Sequence, residues 1–260
     1  GSEQFLSEIS GADSYPARHL SMDSIYEYGS RVGFWRIQQE FAKRHLPMTI
    51  FAVAMALQRN PLVVEAIKQN HYDVVSHGLR WIHYQNVDIE TEKAHMAEAM
   101  QILKDLFGKY PTGWYTGRDS PNTRQLLADY DQIQYDSDYY GDDLPFWTTL
   151  SKKNGETRPH LIIPYTLDTN DMKFASPTGF NRSEDFFEYL KDAFDVLYAE
   201  GMTSPKMLSI GMHCRILGRP ARFKALQRFL DYVQNHDRVW ICTRQQIAEH
   251  WYRHHPCESL

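Results

Sequence analysis

The rhythm of this chain limits its fold more tightly than any single motif does. Short apolar runs, each about one strand long, recur between longer stretches whose apolar residues fall on one helical face. Met48-Thr49-Ile50-Phe51-Ala52-Val53 is apolar along nearly its whole length, the pattern of a strand buried on both faces. Asp73–Ser76, Pro111–Tyr115, Ile133–Tyr135, Leu161–Pro164, Lys206–His213 and Val239–Ile241 repeat it. Helices are predicted between them. The first runs from Met22 to about His45, with Asp23 or Ser24 as cap and Ile25, Tyr28, Phe34, Ile37 and Phe41 along one face. The next runs from Asn60-Pro61 to about Gln69, and a long one spans Ile89–Phe107, stopped by Gly108. Further helices follow from Asn122 to Tyr130, Ser183 to about Ala199, Pro220 to about Asn235, and Arg244 to Tyr252. Strand and helix alternate without a linker or repeat, which predicts one α/β domain over residues 1–260: a distorted (β/α) barrel of roughly six to seven strands. The stretch from Asp136 to Thr157, rich in Asp, Tyr, Gly and Trp, is long for a structureless connection and is expected to be functional.

Composition narrows the classes. A formal charge of -5, with no basic cluster, argues against nucleic acid or an anionic membrane as partner. No apolar run approaches a membrane span, and the first residues lack the plan of a signal peptide. Cys214, Cys242 and Cys257 are odd in number and far apart, which fits neither a disulfide framework nor a zinc ribbon and points to a reducing, cytoplasmic location. Aromatic residues make up 13 %, and the tyrosines that gather in polar loops suit the wall of a small-ligand pocket.

The polar residues at strand ends are the candidates for chemistry, because parallel α/β folds place their sites there. His77 stands where one predicted strand stops, followed at once by Gly78; His213 ends another. Strand ends on one side of such a fold converge, and imidazole is suited to moving protons near neutral pH. In Gly113–Arg124, Arg118 has the forked donors for a carboxylate or polarised carbonyl, beside Tyr115 and Asn122; the plainer role is that Asp119 or Ser120 caps the next helix. Asp138 lies near a strand end, whereas Asp142 and Asp143 read equally as a solvated loop. Asn170 and Asp171 either line a site or make a turn. Cys214 is discounted as a nucleophile, since neighbours on a strand face opposite ways and it cannot pair with His213. Zinc is the weightier alternative, but Trp81 occupies the i+4 position from His77, and His83 at i+6 is poorly spaced.

Several segments in succession resemble the polysaccharide deacetylase superfamily (carbohydrate esterase family 4), and more closely its allantoinase-like bacterial branch. They are Ser24–Arg31, Ser76-His77-Gly78, Gly113–Arg118, Asp142–Pro145, Pro164–Asp168 and Met207–Arg215. The resemblance matches His77 to the family's metal-motif histidine and His213 to its late general-acid histidine. It also marks two departures. Trp81 stands where metal-using members carry a second histidine, which implies the branch needing no cofactor. The family's opening strand with its acidic motif is not found, which implies a truncated or inactive chain unless another segment replaces it. The resemblance implies opening of the hydantoin ring of allantoin to allantoate by a homo-oligomer, often a tetramer. His213 would be the acid, and His77 would orient water or substrate. Arg118, Tyr115 and Asn170 would hold ureide carbonyls, with Trp81, Asn122 and Asp138 around the substrate. Glu27 would either line the pocket or sit on the first helix. Two alternatives stay open: a divalent-metal (zinc) N-deacetylase of polysaccharide or peptidoglycan sugars, and a non-catalytic ureide- or sugar-binding module.

Overall fold

The computed structural model describes residues 18–176 and 178–257. The chain forms two compact units. Among the described residues, one comprises those up to Leu46 together with those between Thr166 and Ile241, the other Pro47–Tyr165 together with those from Cys242 onward.

The first, helical unit opens with α1 (Leu20–Tyr28), which passes through a π-helical turn at Gly29–Gly33 into α2 (Phe34–Lys43). The expected helix is present over its full span, and the π turn is the departure from it. Its cause lies in two glycines. A Cβ on Gly33 would collide with the carbonyl of Cys214, and one on Gly29 would come within 3.1 Å of the Arg215 nitrogen. Bare backbone lets the 214–218 segment lie against the helix. The cap is also different: His19 Nδ1 accepts the Met22 N–H at 3.2 Å, while Asp23 pairs with Arg18. Met22, Phe34, Ile37 and Phe41 are buried.

The second unit, among the described residues, is built on six strands: β1 (Thr49–Ala52), β2 (Asp73–Ser76), β3 (Gly113–Trp114), β4 (Tyr135–Asp136), β5 (Phe146–Ser151) and β6 (Thr157–Ile162). Their order is β1-β2-β3-β4-β6-β5. All neighbours are parallel except β5 and β6, which form an antiparallel hairpin. Around the sheet run α3 (Ala54–Gln58), α4 (Pro61–Gln69), α5 (Ile89–Phe107) and α6 (Thr123–Leu127). Met96 and Met100 on α5 join Trp114, Leu126, Leu127 and Ile133 in one apolar cluster. Gly108 ends α5 at φ 77, its N–H donating to Lys104 O, as a left-handed glycine cap does. The segment from Asp136 to Thr157 is therefore not a structureless loop. Its second half carries β5, in which only Leu150 is fully buried, so the run lacks a buried-strand signature.

Two expected strands did not form. Lys206–His213 contributes one isolated bridge, Gly211 to Asn170. Threonine hydroxyls take over its neighbouring backbone positions: Ser209 N–H donates to Thr166 Oγ1 at 3.1 Å, and Thr169 Oγ1 donates to Ser209 O at 2.6 Å. A side chain satisfies the backbone there without a ladder. Val239–Ile241 is not a strand either, and Trp240 is 56 % exposed.

The helical unit continues with a short 3-10 turn (Asp171–Ala175), then α7 (Ser183–Glu200) and α8 (Pro220–Gln234). Phe194 and Phe229 meet edge to face, and Glu184 pairs with Arg228. The chain returns to the sheet unit with α9 (Arg244–His254). Thr243 caps α9 by a reciprocal pair with Gln246, and Arg244 N–H donates to Thr49 Oγ1. Among the described residues no helix is long and apolar enough to cross a membrane.

Candidate active site

In the sheet unit, the C-terminal ends of the parallel strands deliver a cluster of rings. His77 follows β2 directly; its N–H donates to Ala52 O at 2.8 Å, and Gly78 at φ 72 turns the chain away. Tyr115 follows β3, with its N–H on Ser76 O at 2.9 Å. Tyr165 follows β6. The ring of Tyr115 lies 5.1 Å from that of His77 and stacks on Tyr165 at 5.0 Å, only 9° from parallel. Phe51 backs both tyrosines. Burial, with Tyr165 and Tyr140 nearby, pushes the Tyr115 hydroxyl far above its usual range, so it stays a neutral donor. It sits 3.3 Å from the Tyr140 hydroxyl.

Trp81 and Arg118 belong to the same cluster. The Trp81 ring is 6.5 Å from His77, and the Arg118 guanidinium carbon lies 3.4 Å from the centre of the Trp81 ring. Arg118 is 4 % exposed. Four of the expected residues, His77, Trp81, Tyr115 and Arg118, are thus brought together.

Asp138 is present at the same strand ends, but its carboxylate has another occupation. It accepts the Thr116 N–H at 2.8 Å, the Thr116 hydroxyl at 2.8 Å and the Gly117 N–H at 2.6 Å. It therefore clamps the turn that carries Tyr115 and Arg118, in which Gly117 adopts φ 63. Removal from water, with the charge of Asp136 adding to it, raises the Asp138 pKa to about 7. Asp136 lies behind it in a buried network with Arg124 (2.9 Å) and His160 (2.8 Å). Asn122 is the N-cap of α6, and its N–H donates to Ser120 Oγ at 3.0 Å. Ser120 and Thr123 in turn donate to the buried Glu92.

Sequence reasoning missed Arg244. Its buried guanidinium donates to Ser137 Oγ and to the carbonyls of Ile163 and Pro164, which fixes the exit of β6 and so the place of Tyr165. A capping threonine followed by an arginine gives no sequence signal for that reach.

In the helical unit the central pair is His213 and Asp171. Asp171 is fully buried; Oδ1 accepts His213 Nδ1–H at 2.6 Å, and Oδ2 accepts the N–H groups of His213 (2.8 Å) and Leu217 (2.9 Å). Asn170 caps the 3-10 turn by accepting the Met172 N–H at 2.8 Å, and its backbone forms the bridge to Gly211. The polar pair at 170–171 makes a turn, and the turn is what aims Asp171 at the imidazole. With Nδ1 committed to the carboxylate, proton exchange falls to Nε2. Glu27 lies on the exposed side of α1, 3.7 Å from Arg31, with its side chain 60 % exposed. Burial pushes the Cys214 thiol up to about 11, which keeps it protonated and unreactive.

Among the described residues, the donors at these strand ends do not fit a metal ion. No three His, Cys, Asp or Glu side chains among the described residues are grouped to hold one. His83 is exposed, Asp138 is occupied by the turn, and a guanidinium lies on the ring at the position where a second histidine would be needed.

Residues 19–136 match the family model for polysaccharide deacetylases. The whole chain aligns at 43 % identity with 85 % of a Schizosaccharomyces pombe protein named as a polysaccharide deacetylase. A Pseudomonas aeruginosa PAO1 crystal structure, also named a polysaccharide deacetylase, superposes on 98 % of this chain and 84 % of its own at a TM-score of 0.93, with 56 % identity. The structure of Puue allantoinase gives the same TM-score of 0.93 over 98 % of this chain and 83 % of its own, at 55 % identity. On its sequence and its α/β fold, this chain belongs to the polysaccharide deacetylase family.

Proposed function

We propose that the chain is a hydrolase of carbon–nitrogen bonds that opens the hydantoin ring of allantoin to allantoate. The observation that carries the reading is the Asp171–His213 pair, an imidazole held in one tautomer by a buried carboxylate. The likeness to Puue allantoinase supplies the substrate. Water adds to the ring carbonyl and gives up a proton to His213 Nε2, leaving a tetrahedral oxyanion and an imidazolium held by Asp171. The ring C–N bond then breaks as His213 returns that proton from Nε2 to the departing nitrogen, and the carbonyl becomes the carboxyl group of the product, which ionises in water. His77 positions the attacking water, and Arg118 and Tyr115 hold the carbonyl oxygen. Each role rests on the geometry of its own unit and is tested by its own variant.

The names of the relatives favour a second reading, removal of acetyl groups from polysaccharide sugars. One assay separates the two: allantoin against an N-acetylated oligosaccharide, each with and without a chelator. Allantoate formation should survive chelation and be lost in His213→Ala. Acetate release from the sugar alone selects the deacetylase, and undiminished turnover by His213→Ala removes the acid assignment.

A further inference from the structure

We propose that Arg118, carried on the face of Trp81, supplies the positive charge that a metal ion would otherwise bring to the carbonyl oxygen, with Trp81 as its positioning residue. The inference rests on the hydrolytic reading above. Among the described residues, no donor set around His77 suits a metal ion. Lewis-acid help in such a hydrolysis amounts to charge on the developing oxyanion. A guanidinium can provide that charge with two donors of fixed geometry, and an indole face seats it where water is scarce.

The seat is built by two loops tied to each other. Besides the 3.4 Å stack, Tyr84 N–H donates to Arg118 O at 3.0 Å, and Gln85 Nε2 donates to Asp119 O at 3.0 Å. The Asp138 clamp on Thr116 and Gly117 holds the turn immediately before Arg118. Arg118 is therefore set from its backbone and from its side chain, which is the preorganisation that electrostatic stabilisation needs. One residue accounts for both facts. Tryptophan at position 81 withholds a ligand from His77, and it offers the best aromatic face for a cation.

The test compares wild type with Arg118→Lys, Trp81→Phe and Trp81→Leu on the substrate that the wild type cleaves, allantoin or the N-acetylated oligosaccharide. Thermal melts confirm folding. For Arg118→Lys we expect kcat to fall roughly 100-fold with KM changed less than about threefold, because a lysine cannot reproduce the fork in the transition state. Trp81→Leu should lower kcat about tenfold, and Trp81→Phe only about threefold, since phenylalanine keeps a weaker π face. Should Trp81→Leu fail to fold, the other two variants decide. A loss confined to KM in Arg118→Lys, or full kcat there, overturns the proposal. Equal losses in Trp81→Phe and Trp81→Leu overturn the positioning role. Cleavage of the acetylated sugar alone refutes the ureide reading while leaving this comparison intact on the sugar; cleavage of neither substrate ends both.

Discussion

Replacing Asp138 with asparagine sets two forces against each other. The carboxylate is organised by three donors, Thr116 N–H, Thr116 Oγ1–H and Gly117 N–H, all favouring the ion. Burial and the neighbouring charge of Asp136 oppose it and prevail, holding the folded-state pKa near 7 against an ordinary 3.8. The sign follows from linkage. Between those two values the folded chain keeps a proton that the unfolded chain has lost, so stability falls as pH rises through that window and levels off above about 7. A shift of about three pH units, at ~1.4 kcal/mol each, sets the loss at no more than about 4 kcal/mol. The asparagine variant cannot titrate at this position and has no such slope. Urea melts of wild type and Asp138→Asn from about pH 4 to about pH 8 should show the wild-type advantage shrinking by up to about 4 kcal/mol. Activity should drop about tenfold or more in the variant at every pH, because an amide turns a donor toward one of the two backbone N–H groups and loosens the turn under Arg118. Parallel stability curves, or a wild-type advantage that grows with pH, would show that the three donors outweigh burial and refute the reasoning.

Asp171→Asn should leave the helical unit folded but lower kcat by roughly 100-fold or more, since the amide no longer fixes the Nδ1–H tautomer of His213; stopped assays across pH check it, and wild-type kcat would contradict it. Gly113→Ala should cost about 1–3 kcal/mol in urea melts, because the new methyl meets the fully buried Tyr135 ring across the β3–β4 pairing, and an unchanged midpoint would show that the ring can move aside.

α4 and α5 were legible in the sequence because Pro61 marks the start of one and Gly108 the end of the other chemically. β1 and β2 were legible because parallel strands covered by helices place apolar residues at consecutive positions. β5 was not, for it lies at the sheet edge and pairs only with β6. Lys206–His213 looked like a strand because its composition is that of one. Threonine hydroxyls replaced the ladder there, a substitution that no hydrophobic pattern records. At the site, His77, Tyr115, Trp81 and Arg118 fall together because strand ends and the turns after them are short. The partner of His213 lies 42 residues away in sequence, and only the fold shows that Asp171 is that partner. Nor does the place of Asp138 near a strand end reveal that its carboxylate holds the turn at Thr116 and Gly117.

Carbon-13 NMR can follow the ring carbonyl of allantoin in the presence of the purified chain. That signal should give way to the carboxylate of the ring-opened ureido acid, and His213→Ala should stop the conversion. A ring carbonyl that persists at its uncatalysed rate, while the same preparation frees acetate from an acetylated sugar, would contradict the ring-opening assignment.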